Sequence, residues 1–210
     1  MSGRQYEREA EEDADGVGPD ALDRERARLF ALLGRLLVAA PDATLLDALA
    51  GLRGEPDTDL GRAYDGLAAA ARATDPVAVE AEFHDLFIGV GRGELLPYAS
   101  YYLAGFLNDR PLARLRGDLA ALGVARAEGE GDPEDHLGFL CEVYAGLLAD
   151  AFPDAPPGAA VHVLDTHLAP WAERCFADLE RAKAARFYRA VGALGRAAVG
   201  TERAALALPA

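Results

Sequence analysis

From Ala21 onward, apolar residues in this chain recur at intervals of three and four, and no segment alternates with the period of two that a strand requires. Leu22, Leu29, Phe30, Leu32, Leu33, Leu36 and Leu37 predict a first helix, which Pro41 stops. A second is expected from Asp42 or Thr44 through Leu52, and a third over 58–73. Thr74-Asp75-Pro76 and Asp109-Arg110-Pro111 each place a capping side chain ahead of a proline suited to a first helical turn. Alanine, leucine and arginine dominate while β-branched residues are sparse, a composition that favours helix over sheet. Further helices are expected at 98–107, from Asp132 through Leu148, and at about 159–167, 170–181 and 182–199. The expectation is an all-α fold.

A chain of 210 residues can bury a substantial core, and no linker long enough to divide it interrupts the helical pattern. The boundaries read as an acidic, disordered tail over 1–18 and one compact multi-helix domain over 19–204. The tail has no apolar segment, so it is not expected to be a signal peptide, and the chain contains no Arg-Arg pair. No apolar stretch approaches membrane-spanning length, so stable membrane insertion is not expected. Cys141 and Cys175 form no CxxC pair and read as buried free thiols in a reducing cytoplasm. The formal net charge of −14 repels phosphate backbones, which excludes nucleic acid as a natural partner and favours cationic peptides.

Two segments carry groups able to grip another molecule. Glu94-Leu95-Leu96-Pro97-Tyr98-Ala99-Ser100-Tyr101-Tyr102-Leu103 sets Tyr98, Tyr101 and Tyr102 at i, i+3 and i+4, aromatic bodies with polar tips. Asp132-Pro133-Glu134-Asp135-His136 reads as a helix start in which Asp132 caps, Glu134 and Asp135 favour the positive helix end, and His136 is surplus to capping. Phe83, Leu86 and Phe87 share one face, while His84 and Asp85 point away from it. The glycine loop Gly89-Val90-Gly91-Arg92-Gly93 follows a helix rather than a strand, so it reads as a surface loop or hinge and not a nucleotide site. His162 and His167 are five apart, out of register for one face of an α-helix, and no metal site is expected. No nucleophile–base–orienter set is present, so no catalytic residue and no cofactor are assigned.

In order and spacing, Phe83-x-x-Leu86-Phe87, the glycine loop, Glu94-x-x-Pro97-Tyr98-x-Ser100-x-Tyr102-Leu103 and Asp132-Pro133-x-Asp135-His136 resemble the TorD/DmsD family of redox-enzyme maturation chaperones, relatives of the NarJ group. The resemblance covers roughly residues 25–200. It implies a cytoplasmic, all-helical, non-enzymatic protein. Such a protein binds the twin-arginine signal peptide and apo form of a molybdenum-containing oxidoreductase of the DMSO-reductase type, formate dehydrogenase among the candidates. It delays export and assists insertion of the molybdopterin cofactor. Carried over, the signal-peptide-binding residues are Phe83, Leu86, Phe87, Tyr98, Ser100, Asp132, Asp135 and His136, with Glu94, Pro97, Tyr101, Tyr102 and Glu134 as secondary candidates. The chain has Asp132 where many members have glutamate, and Phe83 where many have tryptophan or tyrosine. Carboxylates receive arginine in charge-assisted pairs and an apolar groove receives the segment that follows, so the chemistry agrees with the resemblance. Two other readings stay open: an all-α scaffold or adaptor for another partner helix, and a hydrolase using His136 with Asp135 or Glu94.

Overall fold

The computed structural model describes residues 20–124 and 132–207. The tail expected over 1–18, and all but the first residue of the loop expected over 124–131, lie outside the described residues. Among those described, helices account for nearly all regular structure and no strand forms. In chain order they are α1 (Ala21–Val38), α2 (Ala43–Ala50), α3 (Asp59–Arg72), α4 (Pro76–Phe83), α5 (Ala99–Ala104), α6 (Arg110–Ala121), α7 (Leu137–Leu148), α8 (Ala159–Val163), α9 (Ala172–Arg181) and α10 (Phe187–Leu206). Two π-helical turns, His84–Ile88 and Leu164–Leu168, extend α4 and α8.

Most helix starts follow local chemistry. Asp20, Asp42, Thr58, Asp75 and Asp109 each accept a first-turn backbone N–H through the side chain. Two starts do not. The helix expected from Asp132 begins instead at Leu137, with His136 as its N-cap. The helix expected at 182 begins at Phe187. There the backbone N–H groups of Lys183 and Ala184 are taken by Glu94, and those of Arg186, Phe187 and Tyr188 by Glu82. Carboxylates from remote segments thus set where α10 starts.

The core is built on α7, which is apolar nearly all round and packs chiefly against α1. Leu137, Leu140, Cys141 and Tyr144 are enclosed, and Phe30 of α1 meets the Tyr144 ring edge-on with centroids 4.7 Å apart. Truncating a ring buried this way costs about 3–5 kcal/mol. Around this pair, α10 packs on α9 and α3, and α2 on α3. The α9–α10 approach depends on Gly195, where a Cβ would fall 2.2 Å from the Phe176 ring. Arg26, Tyr144 and Glu202 join α1, α7 and α10. Arg26 Nε and Nη2 donate to the buried Glu202 carboxylate at 2.8 and 2.5 Å, and the Tyr144 hydroxyl donates to the same group at 2.7 Å. Both cysteines are free and buried, and burial pushes the Cys175 thiol up to about 12. Among the described residues, no helix is long and apolar enough to cross a membrane.

Candidate functional site

The two polar segments singled out in the sequence meet. Residues 97–99 run antiparallel to 135–137, with Ala99 N–H donating to Asp135 C=O at 3.0 Å and Leu137 N–H to Pro97 C=O at 2.8 Å. This bridge holds 132–136 out of helical conformation, which is why α7 starts late. His136 then caps α7 by accepting the Gly138 N–H on Nδ1 at 3.1 Å. Its ring packs edge-on against Tyr98, with centroids 5.1 Å apart.

Asp135 is fully enclosed. Its Oδ2 accepts the Ser100 N–H at 2.8 Å, capping α5, which has no capping side chain of its own. Among the described residues, its Oδ1 and the buried Ser100 Oγ have no hydrogen-bond partner. Buried polar atoms normally find partners, so these two single out the junction among the buried groups. Burial lowers the His136 imidazole below its ordinary value, with Asp132 and Asp135 pulling partly the other way. Burial, then a hydrogen bond to Asp132, pushes the Tyr98 phenol well above its ordinary range. Asp132 is exposed beside this pair. Glu134 is buried and receives Arg116 of α6 through Nε at 3.1 Å and Nη2 at 2.8 Å.

The remaining candidates fall in the scaffold around the junction. Leu86 is wholly buried, while Phe83 and Phe87 are half-buried against Tyr188, with centroids 5.9 and 5.4 Å from its ring. His84 and Asp85 are exposed, as their spacing predicts. The glycine loop turns at Gly89, whose φ of 60° and crowded Cβ position, 2.1 Å from the Arg92 carbonyl oxygen, admit only glycine without strain. Glu94 then accepts from Lys183 and Ala184 N–H at 2.7 and 3.0 Å, bonds that hold its carboxyl below the ordinary range. Pro97 is buried. Tyr102 lies on Trp171, donates to Asp178 at 3.0 Å and carries the Arg174 guanidinium over its ring, with Tyr101 edge-on beside it.

A cleft of about 300 Å³ opens between α5, α6, α7 and the second π turn, lined by Ala99, Leu103, Arg114, Leu115, Leu140 and His167. Next to it the α5–α6 connection exposes Leu103, Phe106 and Leu107, which are 45%, 73% and 42% exposed. Apolar side chains this open on neighbouring positions form a surface suited to a partner. His167 also meets His162 and Asp118, a grouping that α-helical spacing does not suggest. The π turn supplies the missing residue of register, with Ala169 N–H bonded to Leu164 C=O at 2.8 Å. A spacing of five between two histidines is the one signal in the sequence that could have revealed it.

The family model described as "Nitrate reductase delta subunit" matches residues 53–177. The chain belongs to this family. The match takes in both polar segments, the aromatic face of α4 and its π turn, and the histidine pair. Among curated proteins, the chain is 40% identical over 72 residues to Chaperone protein TorD of Vibrio cholerae serotype O1, covering 34% of this chain and 33% of that protein. It is 32% identical over 72 residues to Chaperone protein TorD of Aliivibrio fischeri, covering 33% and 34% respectively. The matched stretch spans about a third of the length of these curated relatives. The TorD/DmsD resemblance of the motifs and the family match therefore agree.

Proposed function

We propose that this protein is a dedicated, non-catalytic cytoplasmic chaperone. It binds the twin-arginine signal peptide and apo form of a molybdopterin oxidoreductase, delays its export and assists cofactor insertion. The observation that carries this reading is the convergence of the two motif segments at the Tyr98–His136 bridge, which gathers exposed and buried acidic groups at one junction. Relatives named as TorD chaperones support it.

In this reading the paired arginines of the signal meet Asp132, the exposed carboxylate, while Asp135, enclosed behind it, holds the start of α5 in place. The apolar stretch that follows lies along Leu103, Phe106 and Leu107 and enters the adjoining cleft. Phe83 and Phe87 pack against Tyr188 of α10, and Leu86 is buried. The net charge of −14 speeds encounter with a cationic segment.

Calorimetric titration with signal peptides of molybdoenzymes from the same genome tests the reading, each beside a control with both arginines replaced by lysine. Tight binding of one peptide, weakened in its control, is expected and names the client. Binding of none moves the assignment to an all-α adaptor for another partner helix.

A further inference from the structure

Asp118 of α6, His162 of α8 and His167 of the second π turn converge on one point. His162 Nε2 and His167 Nε2 lie 3.1 and 2.7 Å from the same oxygen, Asp118 Oδ2. The three donor atoms all lie within 4.8 Å of one another. We propose that this cluster is a binding site for a divalent transition ion of the zinc class, held by two imidazoles and one carboxylate with a further position open to solvent or an incoming ligand.

The chemistry of the donor set fits. Ligands about 2.0–2.1 Å from a tetrahedral ion lie roughly 3.3–3.4 Å from one another, and the two nitrogen–oxygen separations here, 3.1 and 2.7 Å, are near that spacing, so modest side-chain shifts would admit one. Two protons now bridge the imidazoles to a single carboxylate oxygen, and one divalent ion would replace both with the same three atoms. The rings stand nearly perpendicular, at 88° with centroids 5.9 Å apart, so their nitrogens approach the point from different directions.

Neighbouring groups brace the ligands. The other ring nitrogen of His162 lies 3.4 Å from Thr166 Oγ1, the kind of outer contact that orients a ligating imidazole. Trp171 Nε1 donates to the His167 carbonyl at 2.6 Å and fixes the turn that carries it. His167 is 5% exposed and lines the cleft, whereas His162 is exposed, so the cluster has a buried side and a solvent side. The chain's negative charge favours a cation, and Arg114 and Arg110 on the cleft wall oppose it. An ion here would tie α6 to the α8 turn and stiffen one wall of the cleft. The inference rests on these residues alone and stands whether or not the chaperone reading does.

Tag-free, chelator-treated full-length protein titrated with Co²⁺ tests the site through the visible d–d bands of the bound ion, followed by displacement with Zn²⁺. One equivalent is expected to bind, with a rise in melting temperature. His162→Ala, at an exposed position, is expected to keep the fold and lose at least about tenfold in affinity. Asp118→Asn is expected to do the same, and His84→Ala, at an exposed histidine elsewhere, to leave binding unchanged. Absence of saturable binding to the wild-type chain would overturn the proposal, and so would undiminished binding in folded His162→Ala.

Discussion

Tyr98 and His136 face each other across a single antiparallel bridge, edge to face, and each precedes the first turn of a helix, α5 or α7. Two segments far apart in the chain are therefore one structural unit. Asp135 caps α5, His136 caps α7, and the bridging backbone bonds set the angle between them. These bonds couple the starts of the two helices.

Asp135→Ala removes the oxygen that caps α5 and leaves the Ser100 N–H buried without a partner. The expected loss of stability is about 1–3 kcal/mol. Denaturant unfolding followed by the fluorescence of Trp171, the single tryptophan and fully buried, measures it. An unchanged midpoint would show that the bond is dispensable.

Asp132→Asn separates recognition from folding, because Asp132 is exposed. Stability is expected to stay within about 0.5 kcal/mol of wild type. Affinity for a twin-arginine peptide is expected to fall about two- to fivefold, with a flatter dependence on salt. Calorimetry at two ionic strengths measures both quantities. An unaltered salt slope would remove Asp132 from the arginine site.

Acid should weaken the fold through His136. Burial lowers its folded-state pKa below the ordinary 6.5, so the unfolded chain takes up the proton first as pH falls. The stability held above about 6.5 is then lost progressively as pH drops toward the folded-state value. Buried His167 is lowered as well and adds to the same trend. His136→Asn, which can still accept the Gly138 N–H, is expected to reduce the slope between about pH 7 and 5. Unfolding midpoints measured across that range would contradict the assignment if the two slopes coincide.

Glu82 receives three backbone N–H groups, those of Arg186, Phe187 and Tyr188, at 2.7, 3.0 and 2.7 Å. Glu82→Ala leaves the start of α10 without these bonds, and the expected cost is about 2–4 kcal/mol. Glu82→Gln keeps an acceptor oxygen and should recover part of it. Thermal unfolding of the two variants tests the order, and equal losses would point to the charge rather than to the hydrogen bonds.

Most of the fold was legible in the residues because most helix starts are local events. Asp42, Thr58, Asp75 and Asp109 each cap through an N–H within three positions; the starts at Asp75 and Asp109 were readable from the prolines that follow, and the one at Asp42 only as a choice between Asp42 and Thr44. The apolar period marked α1 and the burial of α7 for the same reason. The motif segments were legible as chemistry but not as geometry. Asp132-Pro133 looks like a helix start, yet 133–136 closes as a single turn, with His136 N–H on Pro133 C=O, and the bonds of Pro97 and Ala99 to Leu137 and Asp135 delay α7 to Leu137. Nothing local to Lys183 or Arg186 announces that Glu94 and Glu82, 89 and 104 positions earlier, will claim their N–H groups. His162 and His167 fall apart on an α-helix and come together only because a π turn adds one residue to the register. Residue order by itself determined the helical class, the local caps, the acidic character and the family signature. The tertiary structure decided which carboxylates face solvent, where α7 and α10 begin, and that Asp118 meets two histidines, since each depends on a partner remote in sequence that no local propensity encodes.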